Sequence, residues 1–245
     1  MKRILLTAVA LGGLALGSPA FGADLPMYSK APKGVAAVYD WTGFYVGGFG
    51  GYAFGNHNLV FPPGPNNGFA NFDLNWESQG AFGGGEVGYN WQSGNLVFGI
   101  EADGAGGNIN GNDNNIANPP AAIDANKLKW VASLRARGGI AVDRLLLFFD
   151  GGWATGDITH TNTNPGVGVD TFTVHRNGLA AGGGLAYAIT DNLIGKVEYR
   201  YYDLGTYNHG APTNGVAAYN VSNTYSTVLL GLDYKFGGGL VVAKY

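Results

Sequence analysis

The sequence predicts an all-β fold: an eight-stranded antiparallel up-and-down barrel that crosses a membrane, with short periplasmic turns and long extracellular loops. Three observations carry this reading. Apolar and polar residues alternate with period two through eight separate segments. The connections between those segments alternate strictly between long and tight, four long and three tight, which is the order of a barrel whose two ends face different compartments. Glycine supplies 43 of 245 residues, well over twice the usual share of about 7%. Charged residues are 13% and hydrophobic residues 46%, a balance that excludes a disordered chain and suits many short strands.

The chain opens with Lys2-Arg3, an apolar run from Ile4 to Gly17, and small residues at Ala20, Gly22 and Ala23. This is the pattern of an export leader over residues 1–22, with Ala20 and Gly22 meeting the small-x-small rule for cleavage. Residues 23–40 hold two prolines and no sustained period, and read as a periplasmic lead-in. The barrel is expected over 41–236 and a C-terminal extension over 237–245.

Within the barrel the strands are expected at Trp41 to Phe54, Gly80 to Trp91, Asn95 to Gly106, Lys127 to Val142, Leu145 to Ile158, Asn177 to Thr190, Leu193 to Leu204 and Tyr225 to Phe236. Gln92-Ser93-Gly94, Asp143-Arg144 and Asp191-Asn192 form the tight turns. The long connections, 55–79, 107–126, 159–176 and 205–224, are rich in Asn, Gly, Pro and Thr. The first strand carries too many glycines for its faces to be phased.

The stretch GGGEVGYNWQSGNLVFGIEADG, Gly83 to Gly104, contains a G-x-G-x-x-G match at Gly83, Gly85 and Gly88. A dinucleotide loop needs a helix after the glycines to receive the pyrophosphate, and here Val87, Tyr89 and Trp91 alternate with Gly88 and Asn90, then Leu96, Phe98 and Ile100 with Gly99 and Glu101. The stretch reads as a hairpin.

Each strand after a tight turn begins with leucine and carries an acid at its sixth position: LVFGIE ending at Glu101, LLLFFD at Asp150, LIGKVE at Glu198. A barrel strand crosses the bilayer in about 9–11 residues, so the sixth position lies near mid-membrane. A carboxylate there is too costly on the lipid face and must point inward. The same parity places Glu86, Asp103, Arg135, Arg137, Lys196, Arg200, Asp233 and Lys235 inside, with Lys129 near the rim. Val87, Tyr89, Trp91, Trp130, Leu134, Ile140, Leu179, Leu185, Tyr187, Ile189, Val228, Leu230, Leu232, Tyr234 and Phe236 then face lipid. Eight strands enclose only enough room for side chains, so acids and bases there must pair. They form either a salt-bridged plug or the lining of a narrow ion path. Trp41, Trp91, Trp130, Trp153, Tyr199, Tyr201, Tyr234 and Phe236 read as interfacial girdles.

The chain resembles the small outer-membrane barrels of alphaproteobacteria, the RopB type, within the broader OmpA-like eight-stranded class, through ADLP at residue 23, WTGFYVGGFGGY at residue 41, and GLDYKF with its VVAKY tail. The resemblance spans essentially the whole mature chain. It implies an outer-membrane location after export and an envelope-structural role, with a "porin" label common in the family, and it supplies no reaction. Gly231, Tyr234 and Phe236 match the last-strand pattern read by the barrel-assembly machinery, although GGGLVVAKY follows Phe236 here.

Chemistry is sparse. There are no cysteines, hence no disulfide or thiolate site. The full chain has 14 basic and 17 acidic residues; losing Lys2 and Arg3 with the leader leaves a mild acid excess, which gives no reason to expect nucleic acid. His57, His160, His175 and His209 fall in or beside the long connections without metal-ligand spacing. NINGNDNN, Asn108 to Asn115, lacks the order and closing Glu of a calcium loop. No G-x-S-x-G elbow exists; a His/Ser pair on the rim, such as His209 with Ser222, is what a lipid-A-modifying enzyme would use. No cofactor is expected. The leading expectation is a non-enzymatic envelope barrel with a plugged lumen, its loops contacting outer-membrane lipids, lipopolysaccharide, or a host or neighbouring surface. A porin for small solutes or ions is the alternative.

Overall fold

The computed structural model describes residues 39–60, 73–113, 123–164, 168–209 and 219–237. They form β1 (Gly43–Val60), β2 (Asp73–Ser93), β3 (Leu96–Asp113), β4 (Ile123–Val142), β5 (Leu145–Asn164), β6 (Gly168–Ala188), β7 (Leu193–His209) and β8 (Tyr219–Phe236). Each strand pairs antiparallel with its sequence neighbour, and β1 pairs with β8 to close the barrel. Closure leaves no sheet edge in lipid, where an unpaired amide is unaffordable. The tight turns after β2 and β4 are made possible by left-handed residues, Gly94 at φ 61° and Asp143 at φ 54°.

Strands of 17 to 21 residues exceed what a bilayer needs. They continue well into the segments expected to be loops: β1 runs to Val60, β2 starts at Asp73, and β5 and β6 extend through 159–164 and 168–176. The expected boundaries fell where apolar alternation stops. The backbone ladder does not need apolar alternation, and above the lipid the outer face is stitched by amides and hydroxyls instead. Asn58 donates to Asn75 (2.8 Å), Asn208 to Asn220 (2.7 Å), and Thr159 faces Thr173 (3.0 Å). The calcium-like run Asn108 to Asn115 is extended strand as far as Asp113, and Asn114 and Asn115 lie outside the described residues.

The outward apolar residues make a continuous belt. Leu134, Ile140, Leu179, Tyr187, Leu230 and Leu232 are all more than half exposed, Leu179 and Leu230 at 68%, an apolar surface that only lipid can cover. The glycine-rich first strand also acquires its phase: Phe44, Val46, Tyr52 and Phe54 face out, while Tyr45, Phe49 and Ala53 are buried. Two bulges lie side by side, at Gly106/Ile109 between β3 and β4 and at Leu128/Trp130 between β4 and β5. Between β6 and β7 the ladder covers only Leu179–Ala188 against Asp203–Ile194. Above it the Arg176 guanidinium bridges the gap, donating to the carbonyls of Leu204 (3.2 Å) and Thr206 (2.7 Å); Gly205, at φ 72°, turns the β7 backbone there.

Candidate functional site

The interior is built in layers, and the central one is ionic. Period two delivers alternate side chains of every strand to the lumen, and at mid-height those are Glu86, Glu101, Asp103, Arg135, Arg137, Asp150, Lys196, Glu198 and Arg200, none more than 8% exposed. Arg135 is the hub. Its fork donates to Asp150 (2.6 Å) and Glu198 (2.7 Å) through Nη1, and to Glu101 and Asp103 (3.1 Å) through Nη2, while Nε donates to Ser133 (3.1 Å). Arg137 reaches Glu101 (2.7 Å) and Asp150 (3.3 Å) and lies 4.1 Å over the Phe148 ring. Arg200 spans Glu198 (2.7 Å) and Asp103 (3.1 Å). Lys196 lies 2.6 Å from Glu86, close but off the hydrogen-bond direction, and 3.3 Å from Glu101. Tyr45 donates to Glu101 at 2.8 Å.

Glu101, Asp150 and Glu198 offer oxygens within 4.8 Å of one another, a spacing that suits a metal ion. Arg135 already donates to all three, so the cation of this cluster is a guanidinium, whose planar fork matches carboxylates geometrically. The repeated acid at the sixth strand position is the sequence trace of this arrangement.

Two of the charges assigned to this network stand apart from it. Asp233 is buried yet has no basic partner within ion-pair distance among the described residues. It sits opposite Gly47 on one side as Glu86 does on the other, so the two carboxyls flank the same glycine. Lys235 is at the periplasmic mouth, donating to the Asp40 carbonyl and lying 4.4 Å over the Tyr39 ring. Parity alone placed both inside; it does not say which partner lies across the lumen.

The interior glycines of the glycine-rich hairpin stand where a side chain has no room. A Cβ on Gly88 would be driven into the Tyr45 phenol and would lie 2.8 Å from the Ile100 carbonyl, and one on Gly84 would lie 2.8 Å from the Ala105 backbone. They alternate with Glu86 on the inner face and leave the lumen room for long charged side chains.

Below the ions an apolar cluster lies at the periplasmic mouth. Tyr39 and Trp41, 2% and 1% exposed, pack at 5.0 Å edge to face in a cluster with Val97, Ala141, Leu146, Phe148, Ala186, Ala188 and Ile194. Trp41 was expected in a lipid-facing girdle, but its indole is inside, donating to the Asp143 carbonyl (3.4 Å), while its amide donates to Gln92 (2.7 Å). The Tyr39 hydroxyl donates to the Asp191 carbonyl (3.1 Å), and Arg144 stacks over its ring. Burial pushes the Tyr39 phenol up to about 12, so it remains a donor across the physiological range. Tyr39, Asp40 and Trp41 thus bind all three tight turns and the end of β8. Trp41→Ala is expected to lower stability by about 3–5 kcal/mol, the usual range for emptying a buried aromatic site, read as a shift in the urea midpoint of the folded barrel.

Above the ions lies a second apolar layer, including Phe49, Phe82, Ile109, Leu128, Ile158, Tyr202, Leu204 and Leu229. It is capped by His57, which faces Asn223 and Ser78, each at 2.8 Å. His57 and His160 are therefore buried inside strands rather than in loops. His175 is exposed on the outer wall between Asp157 (2.8 Å) and Thr155 (3.0 Å); the Thr155 hydroxyl also donates to the Arg176 carbonyl (3.0 Å), tying it to the strand. His209 pairs in register with Tyr219, three positions beyond the Thr206/Ser222 pair, and the Ser222 hydroxyl is bonded to Thr206 (2.8 Å). The ladder does not bring His209 and Ser222 together.

Among the aromatic residues expected at the interfaces, Trp91, Trp130, Trp153, Tyr199, Tyr201, Tyr234 and Phe236 do face outward. Tyr199 lies opposite Gly183 and Val228 in the body of the ladder rather than at a strand end. Gly231 lies inward under the aliphatic stem of Lys196, the nearest approach of a Cβ there being 2.9 Å, while Tyr234 and Phe236 are half exposed on the lipid face.

Comparison with known proteins gives a consistent result. Residues 9–236 match the family described as "Outer membrane protein beta-barrel domain". The chain is 31% identical to the 31 kDa outer-membrane immunogenic protein of Brucella melitensis, over 96% of this chain and all of that protein. It is 28% identical to the 22 kDa outer membrane protein of Rhizobium leguminosarum bv. viciae, over 72% and 74%. Among solved structures, outer membrane protein OprG of Pseudomonas aeruginosa aligns with a TM-score of 0.52 at 13% identity, covering 80% of this chain and 97% of that one, a likeness of fold alone.

Proposed function

The chain belongs to the outer membrane β-barrel family, and from that premise we propose that it is an envelope-structural protein, a closed and non-enzymatic barrel whose lumen is plugged. The observation that supports this most directly is the Arg135 hub, with one guanidinium holding four carboxylates and the side chains of the ion pairs at mid-barrel showing 0–4% exposure. An ion path needs hydrated charges with spare coordination; here the charges coordinate one another. The apolar layers above and below support the same reading. The loops are then the parts that contact lipopolysaccharide or a host or neighbouring surface, in keeping with the name "immunogenic" borne by the Brucella relatives. Gly231, Tyr234 and Phe236 serve as the assembly signal in the same reading.

The test is single-channel conductance of the refolded mature protein in a planar bilayer. Silence is expected from protein shown to be folded by its heat-sensitive gel mobility. Discrete, reproducible current steps would replace the plug with the porin reading, since the same residues would then line a path.

A further inference from the structure

Among the described residues, the outward lysines above the lipid belt are confined to one sector. They are Lys127 and Lys129, both exposed and both on β4. At the same height β1, β2 and β8 present Asn56, Asn58, Gln79, Ser222 and Thr224 together with one acid, Glu77.

A backbone irregularity puts Lys129 there. Strict alternation inward from Val131 would turn residue 129 into the lumen, where it was placed at the rim. The β4–β5 ladder instead passes from Leu128↔Ile158 to Trp130↔Asp157, skipping residue 129, and Lys129 and Trp130 both face out. A bulge re-aims a side chain at some cost to the ladder, and the neighbouring bulge on β3 lies directly beside this one, Gly106 facing Trp130 and Ile109 facing Leu128.

The re-aimed groups are held in position. Lys129 Nζ donates to Thr173 (3.3 Å), arching across β5 to β6, and the Trp130 indole donates to Asp157 (3.0 Å). Immediately above, the wall dips into a depression of about 300 Å³ lined by Asn110, Ala125, Lys127, Thr159 and Thr161. The small residue Ala125 leaves its floor low. A boundary indole, two ammonium groups and a recess edged by amides and hydroxyls form one continuous patch.

We propose that this β3–β5 sector is a docking site for the phosphorylated sugar headgroup of an outer-leaflet glycolipid. Lys127 and Lys129 take the phosphate oxygens, Asn110, Thr159 and Thr161 the sugar hydroxyls, and Trp130 marks the headgroup boundary, where indole rings are favoured. The site is on the lipid-facing wall and is independent of whether the lumen conducts.

The test uses the refolded mature barrel in neutral detergent, with native mass spectrometry counting retained lipid. The probes are bisphosphorylated lipid A, the same lipid after enzymatic dephosphorylation, and inorganic phosphate alone. Bisphosphorylated lipid is expected to be retained, with Lys127→Ala/Lys129→Ala weakening retention about thirtyfold, as expected for two basic residues at an anionic headgroup, and Lys127→Arg/Lys129→Arg restoring it. Both double variants change exposed positions, and heat-sensitive mobility reports folding separately. Equal retention by the alanine variant, equal retention of dephosphorylated lipid, or displacement of the lipid by millimolar inorganic phosphate would each overturn the proposal.

Discussion

Arg135→Ala is expected to destabilise the folded barrel by about 3–5 kcal/mol, the range for removing one member of a buried ion pair, and to fall at the upper end of it. Removal takes a donor from four acids at once, although Glu101 keeps Arg137, and Asp103 and Glu198 keep Arg200. Glu101, Asp103, Asp150 and Glu198 all take hydrogen bonds from this guanidinium, and Asp150 keeps only the 3.3 Å contact with Arg137. The carboxylates are buried, with apolar clusters above and below them. Arg135→Lys keeps the charge and loses the fork, so it should fall between wild type and alanine. The measurement is the urea midpoint followed by loss of heat-sensitive gel mobility. An unchanged midpoint for the alanine variant would show that the ion network does not hold the barrel together.

Gly47→Val is expected to prevent folding outright. A Cβ at this position is driven into the Asp233 carboxylate and lies 2.7 Å from the Leu232 carbonyl oxygen. A flexible side chain can move aside; the carbonyl belongs to the β1–β8 closure ladder, which pairs Gly47 with Asp233, and it cannot. Overpacking costs about 1–3 kcal/mol even where the surroundings can yield, and here they cannot without opening the seam that closes the barrel. Gly104→Val is the matched control: it faces outward, with nothing within 4 Å of a new Cβ. That barrel should form normally, with a midpoint close to wild type. If both variants fold equally well, steric room at Gly47 is not what the glycine provides.

Much of this architecture is legible in the chain because it depends on nearest neighbours. Tight turns at Ser93-Gly94 and Asp143-Arg144 declare themselves by residue type, and the Leu-to-acid spacing repeated at Glu101, Asp150 and Glu198 assigns each strand a face. Where apolar alternation stops the chain is silent, so the Asn- and Thr-faced upper strands were expected as loops. Their ladder hydrogen bonds are made by the backbone, which is the same at every residue.

The number of strands, their order, their direction and the inward parity of the charges were determined by the sequence by itself, since a period of two and the length of each connection suffice for them. Only the tertiary structure decided which charge meets which. Lys196 reaches Glu101 across 95 positions and Tyr45 reaches it across 56; those meetings depend on the stagger with which eight tilted strands close, a property of the whole ring that no strand encodes alone. The same stagger carries Lys235 away to the mouth, faces Asp233 with Glu86, and sets Trp41 under the Asp143 carbonyl 102 positions away. Lys129 stands outside for a related reason: a bulge is a mismatch between two strands, and it exists only once they are paired.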